Sequence, residues 1–196
     1  MAATIAKRQA NRLPALLDAA AAHFAERGYH ATTMRDIAQE AGVTPGAVYF
    51  HVPTKQALLL AVYAQGVDRI IGRFEKALEG QRDPNIRLRC AIMAHLEAIL
   101  DASAYARVIV RVLPEDIPEA TNELKLQRER YESRLRSLLA EVDLPAGRDP
   151  KLARLMLIGA LNWTPVWYRK SAGSLDGIVN EYLASFGLSP TPLAGK

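Results

Sequence analysis

Cysteine is almost missing from this chain: Cys90 is the only one among 196 residues. One thiol cannot close an internal disulfide, and no cysteine pair offers zinc-ligand spacing, which argues against a secreted or zinc-stapled design. Long apolar runs are lacking as well. The longest, Ala57 to Ala64, falls far short of the roughly 20 residues of a bilayer-spanning helix. The opening MAATIAKRQANRL is basic and polar, without the apolar stretch of a leader. A reducing, cytoplasmic setting and no membrane partner are therefore expected. Catalytic signatures are absent from residues 84 to 187: there is no nucleophile elbow, P-loop, HExxH or cysteine pair. His95 and Glu97 stand two apart, on different sides of a helix, and read as packing and surface residues rather than metal ligands. No catalytic residue, metal or cofactor is assigned, and the expectation is that the chain is not an enzyme.

What is present is enough apolar material, 49% of residues, to bury a genuine core. The net charge of +4 suits a polyanionic partner without requiring one. In the first sixty residues the cations are largely offset by Asp18, Glu26, Asp36 and Glu40. Lys7, Arg8 and Arg12, however, precede the first helix with no acid beside them.

Strand pairs are not legible anywhere, whereas helical periodicity is continuous. Leu13, Leu16, Leu17, Ala20 and Phe24 share one helix face, and Gly28 follows at the position of a C-terminal stop. Thr33-Met-Arg-Asp36 has the form of a capping box opening a second helix, to about Ala41. After Gly42-Val43, Thr44 is an N-cap and Pro45 sits at the first helical position, where its missing N–H costs nothing. That short third helix runs through about His51. Pro53 breaks it, Thr54 caps the next, and an apolar stripe from Leu58 to Phe74 carries a long helix to about Gly80. Further helices are expected over about 84 to 101, 104 to 113, 118 to 142, 150 to 170 and 175 to 187, separated by proline- and glycine-containing breaks.

Two short helices joined by Gly42-Val43-Thr44 match a helix-turn-helix, whose second helix is presented to the major groove while the first braces it. Ile37, Ala38, Ala41, Val43 and Val48 supply small apolar contacts for a close crossing. Thr44, Pro45, Gly46, Ala47, Tyr49 and Phe50 are left on or near the outward face. The run from Gly28 to Lys55, GYHATTMRDIAQEAGVTPGAVYFHVPTK, resembles the N-terminal domain of the tetracycline-repressor (TetR) family. The resemblance covers about residues 12 to 63, with Val52 standing where the family often has phenylalanine. It implies an all-α protein, with an N-terminal three-helix helix-turn-helix DNA-binding domain and a larger C-terminal helical domain for ligand binding and dimerisation.

Under that resemblance, Thr33 and Lys55 lie at helix N-termini, which favour phosphates. Tyr49 and His51 carry polar tips that reach backbone oxygens. Thr44, Pro45, Gly46 and Ala47 occupy a helix start where close approach to base edges needs small side chains. Arg35 suits either a phosphate or a base, and Lys7, Arg8 and Arg12 suit an arm across the backbone or minor groove. Phe50 completes the expected DNA-binding set.

In the second half, Gly159 and Ala160 permit close helix approach, Trp163 and Trp167 share a helix face, and Pro165 lies inside that helix. The stretch from Asp149 to Tyr182 looks like the C-terminal domain of a TetR subgroup that responds to acyl-CoA thioesters from fatty-acid, steroid or aromatic catabolism. Such a ligand needs an apolar tunnel and cations for its phosphates. The expected ligand-binding residues are Trp163, Trp167, Tyr168 and Arg169, with Arg107, Arg111 and Arg128 as further cations. Apolar stripes at Leu152, Leu155, Met156, Gly159 and at Leu175, Ile178, Val179, Tyr182, Phe186 imply, by family resemblance, a homodimer built through a four-helix bundle. Such a dimer reads a near-palindromic operator on double-stranded DNA. The expected organisation is a reading domain over 1–53, an effector and dimerisation domain over 54–188, and a flexible tail over 189–196. The expected function is repression relieved by a small-molecule effector. Its rivals are a helical acyl-CoA-processing enzyme and a ligand-indifferent architectural DNA-binding protein.

Overall fold

The computed structural model describes residues 12–101, 103–169, 171 and 173–188. Among them are nine α-helices and no strand: α1 Leu13–Arg27, α2 Met34–Glu40, α3 Pro45–His51, α4 Lys55–Leu78, α5 Pro84–Leu100, α6 Ala104–Arg111, α7 Thr121–Ala140, α8 Pro150–Trp167 and α9 Leu175–Ser185. The first five follow the expected bounds closely because each boundary has its own chemistry. Gly28, at φ +81°, stops α1 and returns its N–H to Phe24. Asp83 accepts from the N–H groups of Asn85 and Ile86 and opens α5 ahead of Pro84. The largest departure precedes α7, which starts at Thr121 rather than 118. Two short 3-10 turns, Pro114–Asp116 and Pro118–Ala120, occupy that stretch.

The chain forms two compact units. One comprises Met1–Val67 with Ala102–Gln127, and the other Asp68–Asp101 with Arg128–Lys196. Within the first unit, α6 packs against α1.

In the first unit Leu16, Ala20, Phe24, Ile37, Val48, Leu58, Val62 and Tyr63 are all fully buried. Each large side chain contributes about 1.5–3 kcal/mol by leaving water. Segment 103–127 is fastened to this core by polar bonds. The Tyr105 hydroxyl donates to Asp18 at 2.8 Å, and Arg111 donates to the Ala25 carbonyl at 2.8 Å. The Tyr29 hydroxyl donates to Glu119 at 3.3 Å, and Gln56 donates to the Glu119 carbonyl. Gly66 lets α4 and α6 cross closely, since a Cβ there would lie 2.9 Å from the tip of Ile109.

In the second unit α5 packs against α8 and α9. Ile92, Leu96, Leu135, Leu157, Leu161 and Val179 form its core. Polar groups also enter this core. Arg89, 2% exposed, donates to Asn180 and Asp176 of α9. Buried Thr164 donates to the Ala160 carbonyl or pairs with the Tyr182 hydroxyl, at 3.0 and 2.7 Å.

Candidate nucleic-acid interface

The helix-turn-helix is held by side chains that satisfy free backbone groups at each end of α2 and α3. At the start of α2 the Thr33 hydroxyl accepts from the Asp36 N–H at 3.2 Å. The Asp36 carboxylate accepts from the Thr33 N–H and hydroxyl at 3.2 and 2.7 Å. Those bonds, the hydroxyl first and the backbone N–H second, hold the Asp36 carboxyl below the usual range, with the nearby charges of Arg27 and His23 adding to them. The turn after α2 is a Schellman closure. The Val43 N–H reaches the Ala38 carbonyl at 2.9 Å and the Gly42 N–H reaches Gln39 at 3.2 Å, with Gly42 at φ +63°. Arg12 donates to the Gly42 carbonyl at 2.9 Å, so this member of the expected arm braces the turn. Lys7 and Arg8 lie outside the described residues.

Thr44 caps α3 by accepting from the Ala47 N–H at 3.3 Å, with Pro45 in the first turn. Val48 is buried completely and anchors the helix to α2. Thr44, Pro45, Gly46, Tyr49 and Phe50 are exposed, and Ala47 and His51 half-exposed. Phe50 is the most open large apolar side chain of the chain's described residues, at 71%, its ring edge-on to His51 at 5.7 Å. A Cβ at Gly46 would meet nothing within 4 Å. The helix therefore presents a low, uncharged, nearly side-chain-free start flanked by two aromatic rings. Thr33 and Arg35 are also exposed, on the first turn of the packed neighbour α2.

Lys55 departs from the expectation of a phosphate clamp. Its ammonium donates to the carbonyls of Tyr29 at 2.9 Å, Thr32 at 3.0 Å and His30 at 3.5 Å, and stands 4.4 Å from the Tyr29 ring centroid. Three donors meet three carbonyls, so the side chain ties the start of α4 to the α1–α2 loop. Burial, then the Glu119 carboxylate, pushes the Tyr29 phenol above its ordinary pKa and keeps it a donor.

The expected ligand-binding residues are shared between the two units. Arg107 and Arg111 belong to the unit that contains the helix-turn-helix, and Arg128, Trp163, Trp167, Tyr168 and Arg169 to the other. Arg111 lines a cavity of about 470 Å³ with Phe24, Tyr29, His30, Val112 and Ile117. Trp163 is 63% exposed and Trp167 is also exposed. They stand on an open apolar face of α8 with Leu152, Leu155, Met156 and Val166, at the three-and-four spacing of one helix side. The helix continues past Pro165 to Trp167 while Thr164 and Leu161 turn inward, so the tryptophans point out. Tyr168 closes the helix edge-on to Trp167, and Arg169 donates to the carbonyls of Val166 and Tyr168. Among the described residues no group of three or more His, Cys, Asp or Glu could hold a metal ion, and no helix is long and apolar enough to cross a membrane.

Sequence reasoning missed the capping role of Lys55 and the burial of Arg89. Neither has a local signal, because the partners of each lie more than twenty residues away.

Residues 16–62 match the family described as bacterial regulatory proteins, tetR family, and residues 81–182 match the tetracyclin repressor-like C-terminal domain. The chain is 31% identical over 195 residues to the HTH-type transcriptional repressor KstR2 of Mycolicibacterium smegmatis, covering 94% of this chain and 93% of the relative. It is 32% identical over 158 residues to the HTH-type transcriptional activator FasR of the same organism, covering 78% and 71%. AibR, solved in complex with isovaleryl coenzyme A and operator DNA, shares the fold with a TM-score of 0.75 at 22% identity, over 92% of this chain and 100% of that one. The chain belongs to the TetR family of bacterial regulatory proteins.

Proposed function

We propose that this protein is a ligand-responsive transcriptional repressor that binds a near-palindromic operator as a homodimer and is released by an acyl-CoA thioester. The observation that carries the reading is the α3 surface, where Val48 alone is buried and Thr44, Pro45, Gly46, Tyr49 and Phe50 face outward. Small residues at Thr44 to Ala47 let the helix start approach base edges. Phe50 meets a thymine methyl group, and Thr33, Tyr49 and His51 hold phosphates. Arg35 supplies the long cation that α3 itself lacks. Sequence preference then depends partly on DNA shape. The functional boundaries are a reading domain with its arm over 1–53, an effector and dimerisation domain over 54–188, and a tail over 189–196. The setting is the cytoplasm, and the protein is not an enzyme.

The open α8 face is the dimer surface. Two copies bury Leu152, Leu155, Met156, Trp163 and Val166 against each other, which removes an apolar stripe too long to leave in water. The effector class is supported by the subgroup resemblance of residues 149 to 182 and by the names of relatives, among them the fatty acid metabolism regulator protein of Bacillus subtilis at 26% identity over 153 residues. Release works by population shift: the thioester binds more tightly to a conformer whose reading helices are wrongly spaced for the operator. A mobility-shift titration on the duplex upstream of the protein's own gene tests all of this. A retarded complex dissolved by an acyl-CoA but not by its free acid is expected. A complex indifferent to every thioester, or none at all, contradicts the proposal.

A further inference from the structure

The second unit buries an imidazole that has one ring nitrogen without a partner. His95, on α5, is 1% exposed. Its Nδ1 lies 2.5 Å from the Tyr131 hydroxyl on α7, and the two rings stack with centroids 5.4 Å apart at 26°. Phe74, from α4, lies against both, with centroids 6.5 Å from His95 and 5.8 Å from Tyr131. Three helices thus close an aromatic box with one polar edge inside.

The phenol decides which imidazole nitrogen carries the proton. Burial drives the Tyr131 pKa well above its ordinary value, so the hydroxyl keeps its hydrogen, and His95 Nδ1 is the acceptor within its reach. The imidazole is itself held neutral, its pKa pushed down to about 3 by burial. A neutral ring that accepts at Nδ1 carries its hydrogen on Nε2. That Nε2–H is buried and has no hydrogen-bond partner. An orphan donor costs about 1–3 kcal/mol, a cost that a ligand acceptor would offset.

We infer that His95 Nε2 is the polar anchor of the effector site and donates a hydrogen bond to the uncharged carbonyl oxygen of the effector's acyl group. This rests on the acyl-effector reading given above and specifies the chemistry by which that effector is recognised. A carbonyl fits because it only accepts, as the fixed tautomer requires. A free carboxylate fits less well, because none of the three side chains that form the box carries a positive charge to offset its desolvation. Phe74 and Tyr131 supply the apolar walls beside the acyl carbon.

The test compares butanoyl- and palmitoyl-CoA with the matching S-alkyl-CoA thioethers, which lack only the carbonyl oxygen. Operator release is followed by fluorescence anisotropy for the wild type and His95→Phe. The wild type should respond to the better thioester at about tenfold lower concentration than to its thioether, the value of one satisfied buried hydrogen bond. His95→Phe should release at equal concentrations of both. Equal thioester preference in the two proteins overturns the inference while leaving the effector reading intact. Failure of every CoA compound to release the wild type removes the effector reading and this site with it. If His95→Phe does not bind the operator, nitrogen-15 spectra of the wild type decide: the His95 Nε2 resonance moves with the thioester and not with the thioether, and an unmoved resonance refutes the site.

Discussion

Among the described residues the two compact units differ in their buried charge: only the second places a guanidinium, that of Arg89, in its core. In the unit that carries the helix-turn-helix, charged side chains are spent on backbone carbonyls: Lys55 on Tyr29, His30 and Thr32, Arg111 on Ala25, and Arg12 on Gly42. Each bond closes a helix end or a loop and selects one backbone geometry. In the second unit Arg89, His95 and Thr164 enter the core, with Arg89 Nε and His95 Nε2 unpartnered; the first unit buries His23 and Thr32, with His23 Nδ1 unpartnered, but no lysine or arginine. A surface that must match the fixed spacing of a groove profits from the first arrangement. A core that must respond to a ligand profits from the second, because polar capacity held in reserve is what a ligand can satisfy.

This contrast can be broken by substitution. The largest effect is expected from Asp176→Ala, which leaves the buried Arg89 guanidinium with Asn180 as its remaining carbonyl-type partner. Breaking a pair with one buried member costs about 3 kcal/mol, the lower end for such pairs because Asp176 is itself largely in water. Urea unfolding should show a lower midpoint for this variant, while operator affinity in the folded range stays unchanged. Lys55→Met should cost about 2 kcal/mol, by removing charge-assisted bonds to carbonyls that are partly sheltered from water. Here, unlike Asp176→Ala, operator affinity should fall as well. An equal loss of affinity in both variants would erase the distinction between the units. Thr33→Ala should cost about 1 kcal/mol through the lost cap, again with weaker operator binding.

A pH dependence is expected as well, slight near neutral pH and growing as the pH falls. His95 has a folded pKa of about 3 against an ordinary value of 6.5. Between those values the unfolded chain binds a proton that the folded chain refuses, so stability rises with pH across that window and falls as pH drops below about 6.5. Wild-type unfolding midpoints should show that slope, and His95→Phe should lack this part of it.

Much of this was legible in the residues before the structure. Thr33, Gly42, Thr44 and Pro45 fix α2, the turn and α3 through bonds to residues at most five positions away, and such signals survive in sequence. The same holds for Gly28 and Asp83. The candidate DNA surface was legible for that reason, apart from Lys55, whose partners lie 23 to 26 residues back. The effector region was read less well. Trp163 and Trp167 share a helix side as expected, yet periodicity does not say whether a shared apolar side faces a core, a cavity or a second chain. Arg107 and Arg111 were grouped with Arg128 because nothing local reveals that α6 packs with the helix-turn-helix. The His95–Tyr131 pair spans 36 residues and carries no motif at all.

The most direct test of the account concerns the α3 surface. Gly46 lies open, with no atom within 4 Å of where a Cβ would sit, so Gly46→Glu leaves the fold intact and places a long anion where a base edge should be. Fluorescence anisotropy with a labelled operator duplex should show affinity lower by about a hundredfold, since a groove contact is lost and a charge is set against phosphates. The unfolding midpoint should not fall. Equal affinity for Gly46→Glu and the wild type would contradict the assignment of this helix to the groove.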